Sequence, residues 1–339
     1  MKVRLISLII LGLCIFSIII GLINASKKQG IKTACPPPSQ PTFFRGFTTP
    51  GNKIALIELE GPISKSSADS FFTDFSSAGN VLKSLERAYE DKSVKAVILR
   101  INSPGGTVAM SQEIYDSILK LREKMPVVVS MADVAASGGD YIASAAHRIY
   151  ANPGTLTGSI GVIMETIDAS SLLNDKLGVK SEIIKSGKYK DVGNIYRPLK
   201  PDEKELLNNL INNAYKQFLN AIIEGRINRN DKYELKKVNL TKENLQKYAD
   251  GRIFTGEQAL EYGFVDKLGS LSQVEEDIKG IIKGRDLPVV NYSKPSGFEG
   301  IFLQMSDKLI PKINGFGNGL ESFVPVSRKY PRQPLFIWE

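Results

Sequence analysis

The sequence predicts an α/β fold built on a parallel sheet, preceded by an N-terminal transmembrane helix. Three observations predict it. An uncharged run of nineteen residues, Leu5 to Ile23, lies near the start. From Lys53 onward, strand-like runs alternate with runs whose apolar residues recur at helical spacing, the pattern of βαβ crossovers rather than of a sandwich. Two of the strand-like runs lead directly into glycine-containing turns, Asn102-Ser103-Pro104-Gly105-Gly106 and Ser137-Gly138-Gly139.

At about 1.5 Å rise per residue, the first run just spans a hydrocarbon core of about 30 Å. It is long for a cleaved leader and no A-x-A site follows it, so residues 1–28 are expected to be a membrane anchor. Lys2 and Arg4 precede the run while Lys27 and Lys28 follow it, a balance that leaves its orientation open. Residues 29–51, with Pro36-Pro37-Pro38, read as an extended linker.

A folded domain is expected over residues 52–290. Lys53 to Leu59 is β-like and ends at Gly61-Pro62. Asn80 to Glu90 is helical through Val81, Leu82, Leu85 and Ala88. Val94 to Ile101 is a strand, Ser111 to Arg122 a helix and Val127 to Met131 a strand. Gly138 to Ala146 follows as a short helix and Ile149 to Ala151 as a short strand. Asp168 to Leu177 is expected to be helical, Lys180 to Lys185 a strand and Ser186 to Leu199 a polar loop. Pro201 to Ile227 reads as a long amphipathic helix, with proline in the first turn, Asp202, Glu203 and Glu205 at its positive end, and Leu206, Leu210, Phe218 and Ile222 on one stripe. Thr255 to Phe264 begins with a capping threonine and ends near a glycine. Residues 291–339 gain Pro, Gly and Ser and read as a loosely ordered tail.

Composition narrows the function classes. The net charge is +8, but Lys2, Arg4, Lys27, Lys28 and Lys32 supply five of the positive charges. Without them the balance is 39 basic against 36 acidic residues, too even to suggest a nucleic-acid partner. Two cysteines, Cys14 and Cys35, support neither a disulfide framework nor a zinc site. No metal or cofactor is expected.

Ser137 stands at the end of an apolar strand, between small residues and a Gly-Gly pair. That placement suits a nucleophile held at an exposed corner, and it equally suits a capping serine in a tight turn. In a parallel sheet the two glycine turns share one crevice at the strand ends, where the Gly106 and Gly138 amides could face one oxygen, as acyl transfer requires. A phosphate loop is disfavoured because the chain contains no G-x-x-x-x-G-K-[ST]. The single histidine, His147, lies ten residues after Ser137. On a helix that is roughly 15 Å along the axis and on another face, so His147 is read as a surface or helix-end residue and not as a base. A lysine kept neutral by its surroundings is the remaining option, and composition alone does not say which one.

Five motifs in one order carry a resemblance: Ser103-Pro104-Gly105-Gly106, Ala136 to Ile142, Leu156 to Val162, Ser186-Gly187-Lys188-Tyr189-Lys190-Asp191, and Gly251 to Gly256. Together, over about Lys53 to Leu287, they resemble the short form of the signal peptide peptidase SppA family. The resemblance implies the ClpP/crotonase-like superfold and a serine endopeptidase acting on remnant signal peptides and hydrophobic segments. It implies Ser137 as nucleophile, Lys190 rather than its neighbour Lys188 as general base, Ser159 as the serine that positions the base, and Gly106 and Gly138 as the oxyanion-hole amides. It further implies a single-pass protein of the cell membrane with its catalytic domain extracytoplasmic, assembled as a homo-oligomer, with an octamer as the expected size. Ser137 and Lys190 would then meet across a subunit contact. The competing readings are a crotonase-type acyl-CoA enzyme, which would need no Ser137, and a non-catalytic membrane scaffold.

Overall fold

The structure, a computed structural model, describes residues 51–64, 77–228, 233, 239–284 and 286–293, and the backbone of 335–337. The expected anchor, and the expected linker up to residue 50, lie outside the described residues, and no described helix is long and apolar enough to cross a membrane.

The body is a mixed α/β fold. Its strands are β1 (Lys53–Glu60), β2 (Val94–Ser103), β3 (Gly105–Thr107), β4 (Val127–Ala136), β5 (Arg148–Ala151), β6 (Leu156–Gly158), β7 (Ile253–Thr255), β8 (Lys267–Leu268), β9 (Val289–Asn291) and β10 (Leu335–Ile337). The helices are α1 (Ala78–Glu90), α2 (Val108–Lys124), α3 (Gly138–Ala143), α4 (Pro201–Ile222), α5 (Lys242–Tyr248), α6 (Gly256–Tyr262) and α7 (Leu271–Ile281). Eight strands form one sheet along the path β7-β6-β4-β2-β1-β9, with β5 beside β4 and β8 beside β5. Every pairing in it is parallel except β6 with β7.

Side-chain alternation explains why the sheet is covered on both faces. Ala55, Ile57 and Leu59 of β1, Val97, Leu99 and Ile101 of β2, and Val127, Val129 and Met131 of β4 enter one core with residues of α1 to α4. Their neighbours Ile54, Ala96, Ile98 and Val128 enter a second core with Val274 and Ile278 of α7.

β4 has two different neighbours along its length. Val128 to Ser130 pair with β5, whereas Val134 to Ala136 pair with β6. The last turn of the strand therefore reaches past β5 to meet β6, and this is where the two glycine turns converge. β3 lies outside the main sheet: Ile63 bridges Gly106 on one edge, and β10 pairs antiparallel with the other, Phe336 opposite Gly106.

Several expectations change. Lys180 to Lys185 is not a strand; its residues are exposed and join no β-ladder among the described residues, and an extended segment becomes a strand only through ladder hydrogen bonds. Asp168 to Leu177 contains little more than one π-helical turn, Leu172–Lys176. The long helix is α-helical to Ile222 and ends in a π-helical turn, Ile223–Ile227. Its apolar stripe is covered at Ala214, Phe218, Ala221 and Ile222, but Leu206 and Leu210 are exposed. The helix at Thr255 is as expected: Thr255 is its cap, in a capping box with Gln258, and it ends at Gly263. At the far end, Tyr292 and Ser293 remain packed on β1, and the Glu58 amide donates to Ser293 Oγ at 2.7 Å.

Candidate active site

β4 runs through Ala135-Ala136 into Ser137, where the backbone turns to φ 52° and ψ −112° before α3 begins. A serine in the left-handed region is strained by about 1–3 kcal/mol and persists only where its surroundings overdetermine it. Two hydrogen bonds do so here. The Ser137 amide donates to the Gly158 carbonyl at 2.7 Å, and its own carbonyl accepts from the Tyr141 amide at 2.8 Å, closing the first turn of α3. The corner is packed too tightly for larger residues: a side chain on Gly139 would press on the Ser103 carbonyl at 3.2 Å.

Ser137 is fully buried, and its Oγ has no hydrogen-bond partner within the chain. An orphaned buried hydroxyl costs about 1–3 kcal/mol, so the fold holds this group ready for a partner that it does not itself supply. The Gly138 amide opens α3, a position with no intrahelical acceptor.

Gly106 comes from the other glycine turn. The Ile63 amide donates to the Gly105 carbonyl at 2.8 Å and the Thr107 amide to the Ile63 carbonyl at 2.7 Å. Successive strand residues present their amides to opposite edges, so the Gly106 amide faces away from Ile63, toward the edge that β10 occupies. Any side chain on Gly106 would collide with the Ile63 carbonyl.

Ser159 follows Gly158 on the neighbouring strand end and also has positive φ, 51°. Its amide donates to the Arg252 carbonyl at 2.7 Å. A side chain on Gly158, with φ +82°, would strike the Phe254 ring at 2.6 Å. The Gly251 to Gly256 segment thus supports the strand end carrying Ser159. Local sequence gave no sign that the Gly158 carbonyl would receive the Ser137 amide, because that contact depends on the register of Ala136 with Gly158.

The structure brings Ser137, Gly138, Ser159 and the Gly106 strand together; it does not bring Lys190 to them. Lys190 is exposed in the turn at 187–193. The basic residues around it are engaged: Lys185 and Arg197 with Asp191, Arg197 also with Glu203 at 2.6 Å, and Lys188 with Asp202 at 2.6 Å. Among the described residues the Lys190 ammonium has no partner. The bond to Asp202, with a second to Tyr189, raises the Lys188 pKa above the usual lysine range, the opposite of what a general base needs.

His147, expected at the surface or at a helix end, lies between the end of α3 and the start of β5 and is not at the surface. It is buried, and its Nδ1 accepts the Val127 amide at 3.0 Å, so that nitrogen carries no proton. Val127 begins β4 and Ser137 follows its end, which places the ring at the opposite end of a ten-residue strand from the serine. Among the described residues no group of His, Cys, Asp and Glu side chains could hold a metal ion.

Comparison with known proteins matches residues 120–281 to the peptidase family S49 and residues 68–155 to Clp protease; the parallel sheet is consistent with the ClpP-like fold. A putative protease of Synechocystis is 43% identical over 68% of this chain and 74% of its own length. A putative signal peptide peptidase SppA of Enterococcus faecium is 30% identical over 86% of this chain and 85% of its own. The chloroplastic serine protease SPPA of Arabidopsis thaliana is 35% identical over 74% of this chain, which spans 36% of that protein.

Proposed function

Because this chain belongs to peptidase family S49 and is a serine peptidase, we propose that Ser137 is its nucleophile and Lys190 its general base, in an endopeptidase that degrades remnant signal peptides at a membrane. The observation that carries this reading is the strained Ser137 corner, whose buried Oγ lacks a partner beside the Gly138 amide. Neutral Lys190 takes the Oγ proton as the serine attacks a peptide carbonyl. The oxyanion is met by the Gly106 and Gly138 amides, each such donor being worth about 3 kcal/mol. Ser159 holds the lysine in place, the amine leaves with the proton, and water activated by Lys190 hydrolyses the acyl-enzyme.

The base reaches the serine from a neighbouring subunit of a homo-oligomer. In support, Lys190 is exposed while Ser137 is buried, and the segment that carries Lys190 leaves Ile167, Leu172, Leu177 and Ile184 uncovered, Ile184 at 95% exposure. Such apolar exposure marks an association surface. Assembly would cover it and place Lys190 in low-dielectric surroundings that favour its neutral form.

Peptide binding is supported by β10. An extended segment already lies antiparallel on β3 opposite Gly106, as a substrate strand adding to that edge would. Residues 1–28 anchor the chain in the cell membrane, 29–51 link the anchor to an extracytoplasmic peptidase domain at 52–290, and 291–339 form the tail. The test is labelling of the detergent-solubilised full-length protein with a serine-reactive fluorophosphonate. Labelling at Ser137 that disappears in Ser137→Ala and Lys190→Ala is expected. Undiminished labelling of Lys190→Ala would remove the lysine from the mechanism.

A further inference from the structure

Asp140 lies three residues after Ser137, in the first turn of α3, and is 3% exposed. Its Oδ1 is 3.2 Å from Thr157 Oγ1, and the same hydroxyl is 2.7 Å from the Ala135 carbonyl oxygen. A hydroxyl has one proton, and a carbonyl oxygen can only accept. The shorter contact therefore takes the Thr157 proton. The remaining contact is a hydrogen bond only if the carboxyl of Asp140 supplies a proton of its own.

Both ends of this relay flank the candidate nucleophile. Ala135 is two residues before Ser137 and pairs in register with Thr157; the next pair is Ala136 with Gly158, whose carbonyl holds the Ser137 amide. We propose that Asp140 is a positioning residue: as a neutral acid it donates to Thr157, Thr157 donates to the Ala135 carbonyl, and this relay keeps the Ser137 corner in register with Gly158 and Ser159. The proposal rests on the reading of Ser137 as nucleophile and adds to it a requirement for one buried proton.

The electrostatic surroundings agree. Burial raises the Asp140 pKa to about 7, with the Thr157 hydrogen bond and the Arg226 guanidinium acting in the other direction. Arg226, in the π-helical turn after α4, is the charged group acting on it among the described residues, and Arg226 is itself bound to Asp266 at 2.6 Å. From α2, Tyr115 is turned to the Ala221 carbonyl at 2.9 Å. Burial also raises Tyr115 above the usual phenol range and Tyr141, on α3 itself, to about 12, so both are neutral wherever Asp140 titrates. When Asp140 ionises, it competes with Ala135 for the single Thr157 proton, and one bond of the relay is lost.

The test compares fluorophosphonate labelling of Ser137 in full-length wild type and Asp140→Asn from pH 5.5 to 9.5. The asparagine amide donates at every pH, and dividing the two rates cancels the titration of the base. The variant-to-wild-type ratio is expected to stay level below about pH 6, to rise as the pH passes through about 7, and to level off where the wild-type relay is fully broken; a ratio flat throughout overturns the proposal. Thermal unfolding separates this from failure of the nucleophile assignment. An acid with a raised native pKa contributes stability below its unfolded pKa and loses it as pH rises through the native value. The melting temperature of Asp140→Asn should therefore gain on wild type between about pH 4 and 7, and a constant difference overturns the buried proton whether or not Ser137 reacts. If Asp140→Asn does not fold, infrared difference spectra of wild type decide: a protonated-carboxyl band lost between pH 5 and 9 supports the relay, and its absence overturns it.

Discussion

The Ser137 amide donates to the Gly158 carbonyl at 2.7 Å, and the residue after that carbonyl, Ser159, has the same positive φ as Ser137, 51° against 52°. Two strained corners at the ends of β4 and β6 are thus joined by one hydrogen bond. Arg252 steadies the second through the Ser159 amide at 2.7 Å. Neither serine can relax without disturbing the other, and such mutual constraint is how a fold retains strain at a reacting group.

Gly106→Ala should silence the site. The added methyl collides with the Ile63 carbonyl, so β3 must shift and carry its amide with it. Labelling of Ser137 is expected to slow by about 10²–10³-fold, the effect of losing one oxyanion donor. A rate close to wild type in a folded variant would show that this amide does not face the reacting oxygen.

The two neighbouring lysines should behave oppositely. Asp202 and Tyr189 keep the Lys188 ammonium protonated, whereas Lys190 has no described partner. Lys190→Ala is expected to lower peptide hydrolysis by about 10²–10⁴-fold, as removal of a general base does, and Lys188→Ala to leave it nearly unchanged. Equal losses in both would undo the assignment of the base.

Complementation tests the subunit contact. Ser137→Ala and Lys190→Ala chains, each inactive alone, should recover part of the activity when co-assembled, because some contacts then pair an intact serine with an intact lysine. Activity is read after mixed oligomers have been verified by mass. No recovery in such oligomers would confine the dyad to one chain.

Deleting residues 335–339 should open the edge of β3. With β10 removed, a substrate strand no longer competes with the chain's own C-terminal segment opposite Gly106. The expected result in initial-rate measurements is a KM several-fold lower at unchanged kcat, the signature of altered binding without altered chemistry. An unchanged KM would mean that β10 and substrate do not share this edge.

Much of the candidate site was legible because its demands are local. The small residues around Ser137 suit a strand that turns sharply into a helix, so that corner is legible from neighbouring residues alone, whereas the need for glycine at 106 comes from the Ile63 carbonyl on an adjacent segment. His147 was misjudged because its burial depends on the start of β4, twenty residues earlier in the chain. Lys180 to Lys185 looked strand-like because it has strand-like composition, but composition does not provide a partner edge. Asp140 lies within the Ala136 to Ile142 motif, but its contact with Thr157, seventeen residues later, is invisible to local sequence.

By itself, the sequence determined the alternation of strand and helix, the apolar residues on both faces of β1, β2 and β4, and the sharp corner at Ser137. These follow from side-chain periodicity and from the backbone freedom of small residues, which act over a few positions. Only the tertiary structure decided that β4 changes neighbours along its length, that Gly158 receives the Ser137 amide, that β10 lies on β3, and that the Asp140 carboxyl meets the Thr157 hydroxyl. Each is a contact between residues distant in sequence, and its geometry exists only once the sheet has closed and excluded water.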